Sequence, residues 1–430
     1  MSDQRVSVAP AHDPEQGVAA VVAPYSAGAF YVTEFARRGW TCVAVVEPDD
    51  VIPPLYRGAL RAEAFESVVV HAGDVAATAA RLRELGVGAV VAGTEIGVPL
   101  GDALSAALDL PGNDPAHSDS RRDKGAMVEA LRAAGVPAIP TLRTSGLAEA
   151  LDWAHDIGTR GYVVKPADSA GSDGVAFCRS RAELEAAWHA IHGRANAMGG
   201  SNDALVVQRQ VHGMQYIVNT VSAAGQHMVA EIWADHRIQT PDGHGVYDRT
   251  AWLSPEEDPE LHTLLASYVR EAITAVGVRF GPAHSEVMLT ETGPILIETG
   301  VRPEGPVNPD AVTLATGTHH VRAAVDAVVS GRVVPDQEPR TLRHACRVTL
   351  CAPYDGTIDS AAWAKVLDLP AVAGTLDHVT GGSPVRTTVD LLTSPDSIYL
   401  VGDRDVIEDS YQAIRELERN GSLYRPAAGS

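Results

Sequence analysis

The order strand, glycine-bearing turn, amphipathic helix, strand limits this chain more than any other feature. It is read in GVAAVVAPYSAGAFYVTEFARRGWTCVAVVEPD from Gly17 and again in HAGDVAATAARLRELGVGAVVAGTEIGVPLGDALSAALDL from His71. Such punctuation predicts βαβ units, and so a parallel sheet with crossover helices. Ligands of these sheets sit beyond the carboxyl ends of the strands. Pro24-Tyr25-Ser26-Ala27-Gly28 and Gly93-Thr94-Glu95 are therefore candidate contacts, beside the plainer reading that both are ordinary strand-to-helix turns.

At 430 residues the chain has room for two to four domains. Its 45% hydrophobic and 21% charged content is ordinary for a soluble enzyme. Against 34 basic residues stand 55 acidic ones, a formal charge of −21. That argues against nucleic acid or an anionic membrane as partner, while a nucleotide needs only local positive charge. No apolar run is long enough to span a bilayer. The N-terminal stretch has no basic segment followed by an apolar one, so no signal peptide is expected and the cytoplasm is the expected location. Cys42, Cys178, Cys346 and Cys351 are scattered without metal spacing, and the last two are expected to be reduced.

Further along, PGNDPAHSDSRRDKGAMVEALRAAGVP predicts a linker and then a helix from about Ser120 to Ala134, capped by Asp119 or Ser120. An α+β segment follows. Strands separated by Gly213 and Gly225 come next, and the polar, glycine-bearing HRIQTPDGHGVYDRTAW reads as a mobile loop. From about Arg340 the pattern changes to short strands and a final helix, which predicts a separate C-terminal region.

Two stretches carry chemistry. In VVKPADSAGSDGV, residues 163–175, a lysine ends a β-branched run and hands over to a loop with almost no bulk. Small residues let backbone amides approach a ligand, and consecutive amides form a nest for an anion, so phosphate is the candidate ligand; a surface turn is the bland alternative. In HSEVMLTETGPILIETGVRPEG, Val287 to Thr290 and Ile295 to Ile297 read as strands around a turn at 291–294. Centred on Thr292, the hairpin sets Glu286 opposite Glu298, with Cβ atoms about 5 Å apart. Two half-buried carboxylates so placed repel unless a cation lies between them, and a hard divalent ion, Mg²⁺ first, is the natural partner. With another turn they would be two exposed glutamates. Arg302, followed by Pro303-Glu304-Gly305, would suit charge developing on a transferring phosphoryl group.

RRDKGAMVEALRAAGVP, VVKPADSAGSDGV, VVQRQVHGMQ and the Glu286/Glu298 pair with Arg302, in this order and spacing, resemble the ATP-grasp superfamily. Within it the carboxylate–amine ligases are most similar, in particular dipeptide-forming L-amino-acid ligases of the bacilysin and dapdiamide synthetase type. The resemblance runs from about residue 18 to 335 and more loosely beyond. It implies an α/β and α+β fold: a Rossmann-like pre-ATP-grasp domain over 1–115, a small lobe over 116–210, a large lobe over 211–335 and a C-terminal α+β region over 336–430. It implies an amide or dipeptide bond made through an acyl phosphate, with ATP and two Mg²⁺ (Mn²⁺ as the alternative), from small carboxylate and amine substrates such as amino acids. A homodimer is left open.

Carried over by residue, Lys124 would reach the α-phosphate, and Lys165 the α/β-phosphates and adenine N7. Ser169, Ala170, Gly171, Ser172 and Gly174 would form the lid over the β/γ-phosphates. The backbone of Gln208, Arg209 and Val211 would meet the adenine edge, and Gln215 the ribose hydroxyls. Glu286 and Glu298 would hold Mg²⁺; Arg302 and the Gly305 backbone would hold the acyl phosphate and tetrahedral intermediate. Gln208 and Gln215 stand where many relatives carry acids, and Gly300 where a Glu-x-Asn-x-Arg motif has its asparagine. Two rival readings are a biotin-carboxylase-like enzyme and a nucleotide-binding module without ligase activity. Lesser candidates are His284 (a structural histidine or a group behind Glu286), His244 and Tyr247 in the polar loop, Trp233 and Trp252 as core or pocket, and Pro306 beside an amino-acid pocket.

Overall fold

The computed structural model describes residues 16–158, 161–169, 171, 173–239, 245–305, 307–334, 340–376 and 379–427. The chain opens with β1 (Gly17–Val22), α1 (Phe30–Ala36), β2 (Trp40–Val46), β3 (Ser67–Val70), α2 (Val75–Glu84), β4 (Val87–Ala92) and α3 (Val98–Ala107). The strands form a parallel sheet in the order β3-β2-β1-β4, as the punctuation predicts. β1 is central and apolar throughout because both its faces are covered: Ala19 and Val21 pack with Phe35 and Trp40, Ala20 and Val22 with Leu82 and Leu104. Beyond its end, two turns cross without room for a side chain. A Cβ on Gly28 would lie 2.5 Å from the Gly93 Cα, and one on Gly93 would lie 2.6 Å from the Ala23 carbonyl oxygen.

The next helix, α4 (Lys124–Ala133), starts later than the predicted Ser120. Asp123 caps it, accepting from the amides of Gly125 and Ala126. Asp119–Arg121 form a separate 3₁₀ turn, because Arg121 is fully buried against Asp102 at 2.6 Å and the Ser120 hydroxyl bonds the Val276 carbonyl at 3.0 Å. Then come β5 (Thr141–Thr144), α5 (Leu147–Asp156), β6 (Tyr162–Pro166), β7 (Ala176–Cys178), α6 (Arg181–Ile191) and β8 (Leu205–Arg209). They build an antiparallel sheet, β5-β8-β6-β7, whose core joins Val164 and Val207 to Leu151, Leu184 and Trp188 of the two helices.

The rest of the chain contributes β9 (Met214–Ala223), β10 (Gln226–Gln239), β11 (Gly245–Trp252), α7 (Pro259–Ala275), β12 (Gly281–Thr290), β13 (Gly293–Gly300), α8 (Pro309–Thr316) and α9 (His320–Ser330). After these follow β14 (His344–Thr349), β15 (Gly356–Ile358), α10 (Ser360–Leu367), β16 (Val372–Thr375), β17 (Pro384–Val385), β18 (Ser397–Gly402), α11 (Arg404–Arg419) and β19 (Tyr424–Pro426). One eight-stranded sheet runs β13-β12-β9-β10-β11-β14-β18-β16. It lies between α7 and α9, and α9 also packs on the parallel sheet.

Two expectations are corrected here. The stretch read as a mobile loop is mostly strand, β10 reaching Gln239 and β11 beginning at Gly245; its polarity reflects cross-strand bonding, as where Thr250 donates to Asp235 at 3.1 Å. The sheet also does not stop at the boundary expected near residue 336. β11 would otherwise leave a bare edge, and β14 covers it by pairing Cys346–Val348 with Arg249–Ala251. The C-terminal stretch keeps a core of its own around Leu350, Trp363, Leu400 and Ile414, beside a small β17-β15-β19 sheet. Among the described residues no helix is long and apolar enough to cross a membrane.

The crossing at Gly93 is backbone against backbone, which cannot yield as a side chain would. Gly93→Ala is expected to destabilise the protein by about 1–3 kcal/mol, read as a lower thermal midpoint.

Candidate active site

The ribbon of β12 and β13 pairs Glu286 with Glu298, as the sequence predicts, but by another route. Next to the turn, Thr290 faces Gly293 and Val287 faces Leu296. Continued without interruption, that register would set Glu286 opposite Ile297 and turn Glu298 to the other face. A bulge between Val287 and Glu286 leaves Ile297 unpaired and brings both carboxylates onto one face.

That face forms part of the wall of a cavity of about 600 Å³. Both glutamates sit deep in the protein yet keep 28% and 30% of their side-chain surface open to it. The two do not behave alike. Burial, and then the charge of Glu298, holds the Glu286 carboxyl above the usual range. Burial pushes Glu298 the same way, but Lys124 and Lys165 outweigh it and draw its pKa down. Lys124 Nζ lies 3.1 Å from Glu298 Oε1 and donates to the Ser169 carbonyl at 2.8 Å. Lys165 is pushed down to about 8, first by burial and then by Lys124, with the two glutamates pulling back.

Among the described residues no three His, Cys, Asp or Glu side chains form a ready metal cage. Two carboxylates alone suit Mg²⁺, which is commonly held by one or two of them together with substrate phosphates and water. Two buried carboxylates facing each other on one ribbon are the observation that fits a cation there. Glu286 and Glu298 would hold it.

At the end of β13, Arg302 Nε lies 2.9 Å from Glu95 Oε2. Glu95 comes from the turn after β4, so the parallel sheet and the ribbon meet at this ion pair. The pair also accounts for Gly300: a Cβ there would lie 2.5 Å from the same Glu95 oxygen. Ser26, held at φ 47°, donates to the Gly305 carbonyl at 3.3 Å and closes the same corner. Sequence reasoning singled out Gly93-Thr94-Glu95 for its place after a strand, without the pairing to Arg302. It missed Arg237, Tyr56 and Arg347 on the cavity wall, for none has a local signature.

Comparison with known proteins agrees with this geometry. Residues 159–307 match the family model of the ATP-grasp domain. The chain contains an ATP-grasp domain. Dapdiamide A synthase of Enterobacter agglomerans is 27% identical over 410 residues, covering 93% of this chain and 96% of that protein. The L-amino acid ligase of Bacillus licheniformis superposes with a TM-score of 0.71 at 19% identity, over 93% of this chain and 97% of that one. The biotin carboxylase domain of the Hydrogenobacter thermophilus 2-oxoglutarate carboxylase, solved with MgADP and bicarbonate, gives 0.66 at 15%, over 93% and 89%. Both superpositions speak to the fold.

Of the residues that the ATP-grasp resemblance singles out, the cavity wall brings together Lys124, Lys165, Ser169, Gly171, Gln208, Arg209, Val211, Gln215, Glu286, Glu298, Arg302 and Gly305. Gly174 is not part of that wall; it and Gly171 sit at φ 66° and 70°, where glycine is favoured. Gln208 Nε2 donates to Thr141 at 2.9 Å, and Gln215 Nε2 to Glu286 Oε2 at 2.9 Å, so Gln215 stands against the acidic pair. His284 lies 3.0 Å from Asn219 Oδ1 and 3.9 Å from Glu286. Trp233 and Trp252 pack edge to face in the core, 5.5 Å apart, and Tyr247 lies under Arg237 at 4.2 Å on the cavity wall. Ala170, Ser172, His244 and Pro306 fall outside the described residues.

Two outcomes follow from the opposed carboxylates. Glu286→Gln should stabilise the metal-free protein by about 1 kcal/mol, a rise of roughly 1–2 °C in EDTA, and lose any stabilisation by Mg²⁺ with a nucleotide. Deleting Ile297 removes the bulge and puts Glu298 in the regular position opposite Glu286, so the protein should stay folded by circular dichroism and keep that Mg²⁺-dependent stabilisation.

Proposed function

We propose that this protein is an ATP-dependent carboxylate–amine ligase. It joins two small molecules, amino acids in the first instance, and releases ADP and phosphate. The observation that carries the reading is the Glu286/Glu298 pair in one cavity with Lys124, Lys165 and Arg302. Similarity to dapdiamide A synthase along nearly the whole chain supports it.

The first substrate's carboxylate oxygen attacks the γ-phosphorus of ATP, and the bond to the β,γ-bridging oxygen breaks. ADP and an acyl phosphate result. The second substrate's amine then attacks the acyl carbon, the bond to the phosphate oxygen breaks, and an amide forms. The amine proton leaves with a phosphate oxygen, since no side chain of the cavity is assigned as a base.

Such chemistry is chiefly positioning and charge neutralisation. Lys124 and Lys165 hold phosphate oxygens, and Lys124 is released from Glu298 as they arrive. Glu286 and Glu298 hold Mg²⁺, which when bound neutralises charge on the phosphate oxygens. Arg302 and the Gly305 amide face the oxygen of the tetrahedral carbon. The Ser169–Gly174 loop closes over the phosphates and keeps water from the acyl phosphate.

ADP release against a matrix of amino acids, with mass detection of products, tests this. Turnover should require both an acid and an amine. Turnover with bicarbonate and no amine would transfer the case to a carboxylase. Glu298→Ala and Arg302→Ala should each lower kcat by about 10²-fold or more in a folded protein, and unchanged rates in both would refute the assignment.

A further inference from the structure

A second charged cluster adjoins the turn at Arg302–Gly305; its Glu304 and Arg347 reach the cavity wall, but the chemistry above does not use it. Glu304, 2% exposed, accepts from Arg347 Nη1 at 2.6 Å on one oxygen and from Asn219 Nδ2 at 2.7 Å on the other. Its amide donates to His320 Nε2 at 3.1 Å, while His320 Nδ1 meets Glu231 at 2.9 Å. Glu231 also accepts from Asn219 at 3.0 Å and from the Trp233 indole at 3.2 Å. Burial opposes a charge on the His320 ring and Glu231 favours one, with the balance upward. A proton on Nε2 would nonetheless break the Glu304 amide bond, so the neutral ring with its proton on Nδ1 fits this arrangement.

The cluster draws on β9, β10, α9 and, through Arg347, on β14 from the C-terminal stretch. All of it bears on a turn that is otherwise irregular. Glu304 stands between the two groups assigned to the reacting carbon, and both its side chain and its amide are tied down. A buried carboxylate without its cation is costly, so loss of Arg347 forces Glu304 to move or to take up a proton. Either response shifts the backbone on both sides of it.

We propose that Glu304 and Arg347 are positioning residues: their buried ion pair, tied to Asn219, fixes the Arg302–Gly305 backbone, so the C-terminal stretch sets the geometry of the reacting centre. For its catalytic consequence this rests on the ligase reading; for its structural content it does not.

The test is hydrogen–deuterium exchange by mass spectrometry on wild type, Arg347→Ala, Arg347→Lys and Glu304→Gln, beside ADP release and thermal unfolding. Arg347→Ala should speed exchange at the amides of Arg302, Glu304 and Gly305 tenfold or more, with the β1–β4 peptides unchanged. It should also lower kcat about 10²-fold while KM for ATP stays within about twofold. Arg347→Lys should restore part of both, and Glu304→Gln should fall between. Unchanged exchange at the turn, or faster exchange spread evenly over the chain, would overturn the proposal. So would an unchanged kcat per folded molecule. If the wild type turns over no acid–amine pair, the ligase reading fails, and the exchange data still decide the positioning.

Discussion

Two carboxylates held against each other inside a protein are unfavourable, and the surroundings of Glu286 and Glu298 are arranged around that fact. Glu298 keeps its charge because Lys124 reaches it from the first turn of α4. That is a poor place for a cation, since the helix dipole presents its positive end there. The Asp123 cap, the Ser169 carbonyl and Glu298 itself make the position tolerable. Glu286 accepts from the Gln215 amide and has His284 3.9 Å away, and burial with the charge of Glu298 leaves its pKa raised. The asymmetry is informative: Lys124 pairs with one acid, and the other is the one that would gain more from a cation.

The departure at Gly300 has the same origin. A side chain at that position would collide with Glu95, and Glu95 is where Arg302 is anchored. An asparagine there would displace the Glu95 carboxylate from its present place beside Arg302. The chain gives up an amide near the second carboxylate and gains a fixed guanidinium at the end of the ribbon. By the same logic a glutamine at 215, rather than an acid, avoids a third negative charge beside an already crowded pair.

The parts of this arrangement that are local in sequence could be read there. The parallel sheet announces itself through the recurring order of strand, turn, helix and strand, which is written in consecutive residues. Opposition of Glu286 and Glu298 was legible too, although the symmetric turn invoked for it is wrong and a bulge at Ile297 supplies the register instead. A bulge depends on what the ribbon packs against, and β12 is held on its other side by β9. The start of α4 was misjudged because Arg121 is committed to Asp102, a partner no local pattern reveals. Polar strands were taken for a loop because their polarity serves the cavity and cross-strand bonds rather than solvent. Glu95 and Arg302 are 207 residues apart, and Glu304 and Arg347 43, which is why neither pair was foreseen.

Where each group sits on the fold also separates what is fixed from what can vary. Glu286 and Glu298 lie on paired strands of an eight-stranded sheet and Lys165 on β6 of another, so each is placed by the backbone hydrogen bonds of its own sheet. The rest of the cavity wall comes largely from connections: Ser26 and Glu95 after β1 and β4, Tyr56 from a short 3₁₀ turn, and Leu391 and Leu392 from the C-terminal stretch. Loops tolerate replacement that strands do not. The exception is the Arg302–Gly305 turn, which belongs to the reacting centre yet lies outside any strand, and it is this turn that the buried Glu304–Arg347 pair makes rigid.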